Sequence, residues 1–271
     1  MTDIDPKNIL PLPPEFVACG EDFDRFVIGF PRSGSRWVAI MMMHFARAEN
    51  GFETDWLFER AFQIESRMQL PPVPLEQIFV RNVYDPGVDW NRFAAKSTPA
   101  FPVVCRSHTC EGVAEREGAK IVYVVRHPAG MAESYIAFAR EQNLIAPDQH
   151  SHTEFVEGRV REWIAMVDRA IKLAGIYPEK FIFLRYKEGL PFTIEDLRSV
   201  LDHFGQRYSL DDCETVIQRF ATLRERLNQP GVCTYTRFGR EGTPQKPEED
   251  IDPALWHKAE QLFETVSKLC V

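Results

Sequence analysis

Arginines, a histidine and glycine-bearing turns at the ends of apolar runs are the residues of this 271-residue chain best suited by type and spacing to handle an anion. The first group is Gly29-Phe-Pro-Arg-Ser-Gly-Ser-Arg-Trp37. Gly29 and Gly34 permit a tight turn, and the helix pattern that follows begins with N–H groups that lack intrahelical partners. Those groups and the helix dipole favour a negative charge, so Ser33, Gly34, Ser35, Arg36 and Trp37 form a phosphate cradle, with the cation Arg32 set inside it. Alone, the segment would also pass for an ordinary strand-to-helix turn.

Three further groups repeat the theme. In Arg126-His-Pro-Ala-Gly-Met-Ala-Glu-Ser134, an arginine leaves a buried strand and a serine follows two helical turns along, so that guanidinium and hydroxyl can meet on one oxyanion. In Arg106-Ser-His108-Thr, an imidazole able to take a proton near neutral pH stands beside a fixed positive charge. In Arg237-Phe238-Gly239-Arg-Glu-Gly242, two glycines leave the main chain free to wrap its N–H groups and arginines around an anion. Each group has a plain structural explanation when taken singly: a capped strand, a hydrogen-bonded loop histidine, a surface loop.

The elements that must position these groups are legible from periodicity. Arg25–Phe30, Pro102–Arg106 (ending near His108), Ala119–Arg126 and Lys180–Tyr186 read as short buried strands. Helical patterns cover about 36–48, 129–142, 153–175, 193–205, 211–228 and 253–269. Residues 50–100 show short helical pieces and no clear strand, and residues 1–24 read as an extended lead-in to a single domain over 25–271. Strands alternating with helices imply right-handed crossovers and an α/β domain, its central parallel sheet flanked by helices. Ligands of such sheets bind beyond the C-terminal strand ends, where the unusual residues cluster.

Composition narrows the classes. With 32 Lys and Arg against 40 Asp and Glu, the net charge is −8, which disfavours a general nucleic-acid binder. An anionic ligand must therefore be held by a local basic pocket set against the overall field. The six cysteines, at 19, 105, 110, 213, 233 and 270, suit neither a zinc site nor a disulfide framework. The acidic start lacks a signal-peptide pattern, and no apolar run is long enough to span a bilayer, so the expectation is a cytoplasmic protein that binds neither nucleic acid nor membrane.

Taken together, the four groups are more specific than any one. The first loop is similar to the P-loop of nucleotide-binding proteins, but Ser35 and Arg36 stand where Gly-x4-Gly-Lys-Ser/Thr has other residues, so the gripping lysine is missing in register. The full set resembles the cytosolic-type sulfotransferases that use 3′-phosphoadenosine 5′-phosphosulfate (PAPS). That family's Pro-Lys-Ser-Gly-Thr-Thr-Trp is matched by Pro31–Trp37, its Lys-Thr-His by Arg106–His108, its Arg-Asn-Pro and later Ser by Arg126–Pro128 and Ser134, and its Arg-Lys-Gly-x-x-Gly by Arg237–Gly242. Both family lysines are arginines here, and the adenine-side aromatic before the last motif has only Leu223 as a nearby candidate.

The resemblance implies a P-loop-type fold and sulfuryl transfer from PAPS, leaving adenosine 3′,5′-bisphosphate (PAP), without a metal. It implies His108 as general base, Arg32 at the bridging oxygen of the donor, and Arg106 at the sulfuryl oxygens. It further implies Ser33–Trp37 on the 5′-phosphosulfate, Arg126, Ser134 and Arg237–Gly239 on the 3′-phosphate, and Trp37 and Tyr186 at the adenine. The acceptor is a small molecule with a hydroxyl or amine. The acidic residues Glu53, Asp55, Glu59, Asp85, Asp89 and Glu141, among the aromatics Trp56, Phe58, Phe62, Trp90 and Phe138, suit either a solvated face over a core or a pocket for a cationic acceptor. A monomer or homodimer is expected. The competing readings are a P-loop kinase or NTPase, and a nucleotide-binding protein of the same fold without catalysis.

Overall fold

The computed structural model describes residues 24–49, 54–65, 82–83, 104–110, 112–141, 149–188, 192–229, 232 and 251–271. Its centre is a five-stranded parallel sheet in the order β2-β3-β1-β4-β5, built from β1 (Arg25–Ile28), β2 (Asn82–Val83), β3 (Val104–Ser107), β4 (Lys120–Arg126) and β5 (Phe181–Tyr186). The α-helices among the described residues are α1 (Ser35–Glu49), α2 (Asp55–Glu65), α3 (Pro128–Glu141), α4 (Gln149–Ile176), α5 (Ile194–Phe204), α6 (Leu210–Asn228) and α7 (Pro253–Ser267). None of them is long and apolar enough to cross a membrane.

The period-2 alternation of each strand divides the core in two. Val27, Val122, Val124 and Leu184 face α1, α2, α5 and α6, while Phe26, Ile28, Ile121, Tyr123 and Val125 face α3, α4 and α7. Because both faces are covered, β4 is an almost unbroken run of β-branched and aromatic residues, all buried from Ile121 to Val125. Each such side chain contributes about 1.5–3 kcal/mol on leaving water.

Local signals fix the helix ends. Thr193 and Asp196 form a reciprocal capping box at the start of α5, Ser209 and Asp212 another at the start of α6, and Gly205 ends α5 with φ 63°. Two ion pairs join α2 to α6: Arg219 meets Asp55 at 2.6 Å, and Arg226 holds Glu59 through two hydrogen bonds of 2.6 and 3.1 Å. Beside them His44 of α1 is buried, with Phe45 and Phe58 around its ring.

Two expectations change. The stretch 50–100 does contain a strand, β2, whose two residues pair with Arg106 and Ser107; it is too short to carry a periodic signal. The first strand stops at Ile28 rather than Phe30, because the main chain turns at Gly29, whose N–H reaches back to the Ser107 carbonyl at 3.4 Å.

Candidate functional site

Register brings the C-terminal ends of four strands to one rim. Ile28 lies beside Ser107 and Tyr123, and Arg126 beside Tyr186. The loop after β1, the turn after β3, the start of α3 and the end of β5 therefore meet. This order, in which the chain leaves β1 for opposite sides of the sheet, opens a crevice at that rim.

The loop from Gly29 to Gly34 is tightly wound. Gly29 is needed for space: a Cβ there would lie 2.6 Å from both the Ser33 hydroxyl and the Val124 carbonyl. Gly34 is needed for conformation and space, with φ 92° and a virtual Cβ 2.4 Å from the Tyr186 ring. Arg32 also adopts a left-handed backbone, φ 71°, a conformation costing a non-glycine residue about 1–2 kcal/mol. The Ser33 hydroxyl is turned inward to the Phe30 carbonyl, and the Ser33 N–H donates to the same oxygen at 3.0 Å. The Trp37 N–H donates to Gly34 at 3.0 Å. Two N–H groups expected to face a ligand are thus engaged within the loop, between them Gly34, the buried Ser35 and Arg36.

His108 follows β3 and is tied to this loop, its Nδ1 lying 2.6 Å from the Gly29 carbonyl oxygen. A carbonyl only accepts, so Nδ1 carries the hydrogen, and in the neutral ring Nε2 is the basic nitrogen. The residues on either side hold this arrangement: the buried Ser107 hydroxyl donates to the Thr109 carbonyl at 2.9 Å and accepts from the Thr109 N–H at 3.0 Å. The sequence reading gave Ser107 no role of its own; here its hydroxyl closes the turn around His108. Arg106 is buried in β3 opposite Val27 and Asn82, two residues before His108.

Arg32 and Arg126 join the remaining parts. Arg32 Nε donates to the Ser134 hydroxyl at 2.9 Å, and its guanidinium lies 5.7 Å from the Phe138 ring centroid. Arg126 Nη1 donates to the Arg32 carbonyl at 3.0 Å, and its guanidinium stacks 4.8 Å from the centre of Tyr186. The expectation paired Arg126 with Ser134 directly; Arg32 stands between them instead. The other edge of Arg126 holds Glu188 in a fork, Nε to Oε1 at 2.6 Å and Nη2 to Oε2 at 2.9 Å.

Burial pushes the Tyr186 hydroxyl above its usual pKa, against the opposing pull of Arg126, so the ring is a neutral platform at physiological pH. Arg224 of α6 also belongs to this neighbourhood: burial lowers its pKa, while Tyr186 and Glu188 counter that shift. It was not anticipated, although its neighbour Leu223 was; Leu223 is buried in the core. Trp37 too is buried, packed on Phe220 with ring centroids 5.5 Å apart.

Of the residues expected around the acceptor, Asp55 and Glu59 are held by the arginines of α6, Phe58 is buried in the core, and Phe62 lies under Arg226, 3.8 Å from its guanidinium. Their acidity therefore fastens two helices together. Glu53, Asp85, Asp89, Trp90 and the side chains of Trp56 and Glu141 lie outside the described residues, as do Arg237, Phe238 and Gly239.

A parallel sheet with a glycine-turned loop running into a helix N-terminus at its C-terminal rim defines a P-loop-like α/β architecture. The chain belongs to the sulfotransferase domain family, whose pattern matches residues 22–264. Among solved structures it is similar to sulfotransferase STF9 from Mycobacterium avium, at 16% identity and a TM-score of 0.54, over 93% of this chain and 79% of that one. It is also similar to mouse sulfotransferase SULT7A1 complexed with PAP, at 14% identity and a TM-score of 0.51, over 92% and 86% of the two chains. A retinol dehydratase in complex with androsterone and PAP matches at 17% identity and a TM-score of 0.50, over 96% and 82%. At these identities the likeness is one of fold. No curated protein matches the sequence.

Proposed function

We propose that this protein transfers the sulfuryl group of PAPS to a hydroxyl or amine of a small-molecule acceptor, with His108 as general base. The observation that carries the reading is the bond between His108 Nδ1 and the Gly29 carbonyl, which joins the base to the anion-binding loop and leaves Nε2 as its proton acceptor.

The rim fits a nucleotide with phosphates at both ends. Arg126 already grips an anion, the Glu188 carboxylate, through the two-pronged geometry that suits phosphate equally. The cradle for the 5′ end centres on Gly34, Ser35 and Arg36 at the start of α1, together with Ser33 and Trp37 of the same turn. Arg126, Ser134 and the Arg237–Gly239 segment would hold the 3′-phosphate, and Tyr186 and Trp37 the adenine. When bound, PAPS supplies an activated S–O bond whose cleavage leaves negative charge on the bridging oxygen.

Arg32 stabilises that charge and does not donate a proton, because guanidinium keeps its protons throughout the physiological range. Its side chain is already oriented by Ser134, so little reorganisation is needed at the moment of reaction. Arg106 balances charge on the sulfuryl oxygens. His108 Nε2 takes the acceptor proton, and the hydrogen bond from Nδ1 to Gly29 supports the imidazolium that results. The acceptor approaches past Phe138, which borders Arg32. With Asp55 and Glu59 engaged by arginines, preference for a cationic acceptor would have to come from the other acidic residues. The protein acts without a metal, in the cytoplasm, as a monomer or homodimer in this reading.

Thermal shift and calorimetry with PAP, ADP and ATP, each with and without EDTA, test the donor assignment. Stabilisation by PAP that EDTA does not affect is the expected result; preference for ATP with magnesium overturns it in favour of a kinase or NTPase. His108→Ala should abolish sulfuryl transfer and leave PAP affinity within about twofold, whereas substantial turnover removes His108 from the base role.

A further inference from the structure

We propose that Glu188 is a tethered stand-in for the donor's 3′-phosphate, exchanging with it at Arg126 and thereby setting how tightly 3′-phosphorylated nucleotides are held. The inference rests on the donor reading above and adds a residue outside every motif that led to it.

The carboxylate sits on the Nε and Nη2 edge of Arg126 at 2.6 and 2.9 Å. This is the edge a phosphate would use, since two parallel N–H groups match two oxygens of either anion. Arg126 does not need Glu188 to be oriented. Its Nη1 is fixed on the Arg32 carbonyl and its face on the Tyr186 ring. Glu188 is therefore an occupant of a prepared position rather than the support of one.

Gly130, in the first turn of α3, makes room for that occupant. A Cβ there would lie 2.2 Å from Glu188 Oε1 and 3.0 Å from Arg126 Nε. The glycine keeps an anion-sized gap open where the dipole of α3 also favours negative charge. Arg126 holds the carboxylate in this corner, and Arg224 senses Glu188 electrostatically.

The two partners differ in what they lose by separating. The Arg126 side chain is only 12% exposed, so removing its anion would leave a poorly hydrated cation. The Glu188 side chain is 48% exposed and lies two residues past the end of β5, so it can turn to water at little cost. A phosphate can thus replace the carboxylate without the guanidinium ever being left unpaired. On release the sequence runs backwards: the carboxylate recaptures Arg126 and helps expel the spent nucleotide. Nucleotides without a 3′-phosphate leave the pair intact and do not sense it.

Calorimetric titration of the full-length protein and its Glu188→Gln variant with PAP and with 5′-AMP tests this, with Arg126→Ala as a reference. Glu188→Gln keeps the shape of the side chain and removes its charge. PAP should bind about tenfold more tightly to Glu188→Gln than to the wild type, while 5′-AMP changes less than twofold. Weaker or unchanged PAP binding in Glu188→Gln overturns the inference, because a support of Arg126 would lose affinity and a bystander would change nothing. If the wild type prefers PAP over 5′-AMP and Arg126→Ala abolishes that preference, the donor reading stands even where the exchange fails. If the wild type shows no preference for PAP, both fall.

Discussion

His44 should make the fold sensitive to acid. It lies on α1 with its ring 5.4 Å from Phe45 and 6.2 Å from Phe58, and its Nδ1 has no hydrogen-bond partner among the described residues. Burial, reinforced by Arg219 and opposed by Asp212 and Asp55, lowers its pKa from 6.5 to about 4. The folded protein therefore keeps His44 neutral under conditions in which the unfolded chain takes up a proton. Stability from this group is complete above pH 6.5 and is lost as the pH falls from 6.5 towards 4. At about 1.4 kcal/mol per pKa unit the full effect is roughly 3 kcal/mol, of which roughly 2 kcal/mol is lost by about pH 5. The assay is urea denaturation followed by circular dichroism at pH 7.5 and 5.0, for the wild type and for His44→Leu. Other titrating groups, including His203, whose pKa burial also lowers, contribute equally to both proteins and cancel in the difference. The wild type should lose about 2 kcal/mol more than the variant between the two pH values. Parallel losses would refute the reasoning whatever the absolute stability of His44→Leu.

Two further predictions concern the rim. Gly34→Ala combines a left-handed backbone with a methyl group 2.4 Å from Tyr186, so it should lower the melting temperature by several degrees, at a cost of roughly 2–4 kcal/mol, and weaken PAP binding by displacing the ring on which Arg126 stacks. Thermal melts and calorimetry measure both, and wild-type values in either would count against the close contact. Ser107→Ala removes both hydrogen bonds that flank His108, and should reduce kcat about thirtyfold with donor KM unchanged, at roughly 1 kcal/mol per bond. An equal rise in donor KM would mean that the hydroxyl supports the nucleotide site instead of the base.

Much of this architecture was legible because strand and rim signals are local. The apolar run Lys120–Arg126 could be little other than a buried strand, and its terminal arginine had to emerge at the sheet edge. The loop Gly29–Trp37 was recognisable because glycine and helix-start chemistry lie within nine residues. Other features depend on residues far apart in the chain. Glu188 is 62 positions from Arg126, and no periodicity links them. β2 exists through its pairing with β3, since two residues hold no pattern of their own. The acidic residues of α2 suggested a ligand rim, because their partners Arg219 and Arg226 sit on a helix more than 160 positions away. Nor could composition reveal that Arg32, rather than only a glycine, would take the left-handed turn: that strain is tolerated because its carbonyl has Arg126 as a partner.

That last bond makes the two poles of the rim mechanically one. Arg126 braces the peptide at Arg32 from across the crevice, so truncating it does more than delete a cation: it lets the turn relax out of its left-handed basin and swings the amide vectors downstream. Damage at one pole should therefore blunt the other, and a double-mutant cycle between Arg126→Ala and Arg32→Ala should show the pair losing less together than the sum of their separate losses.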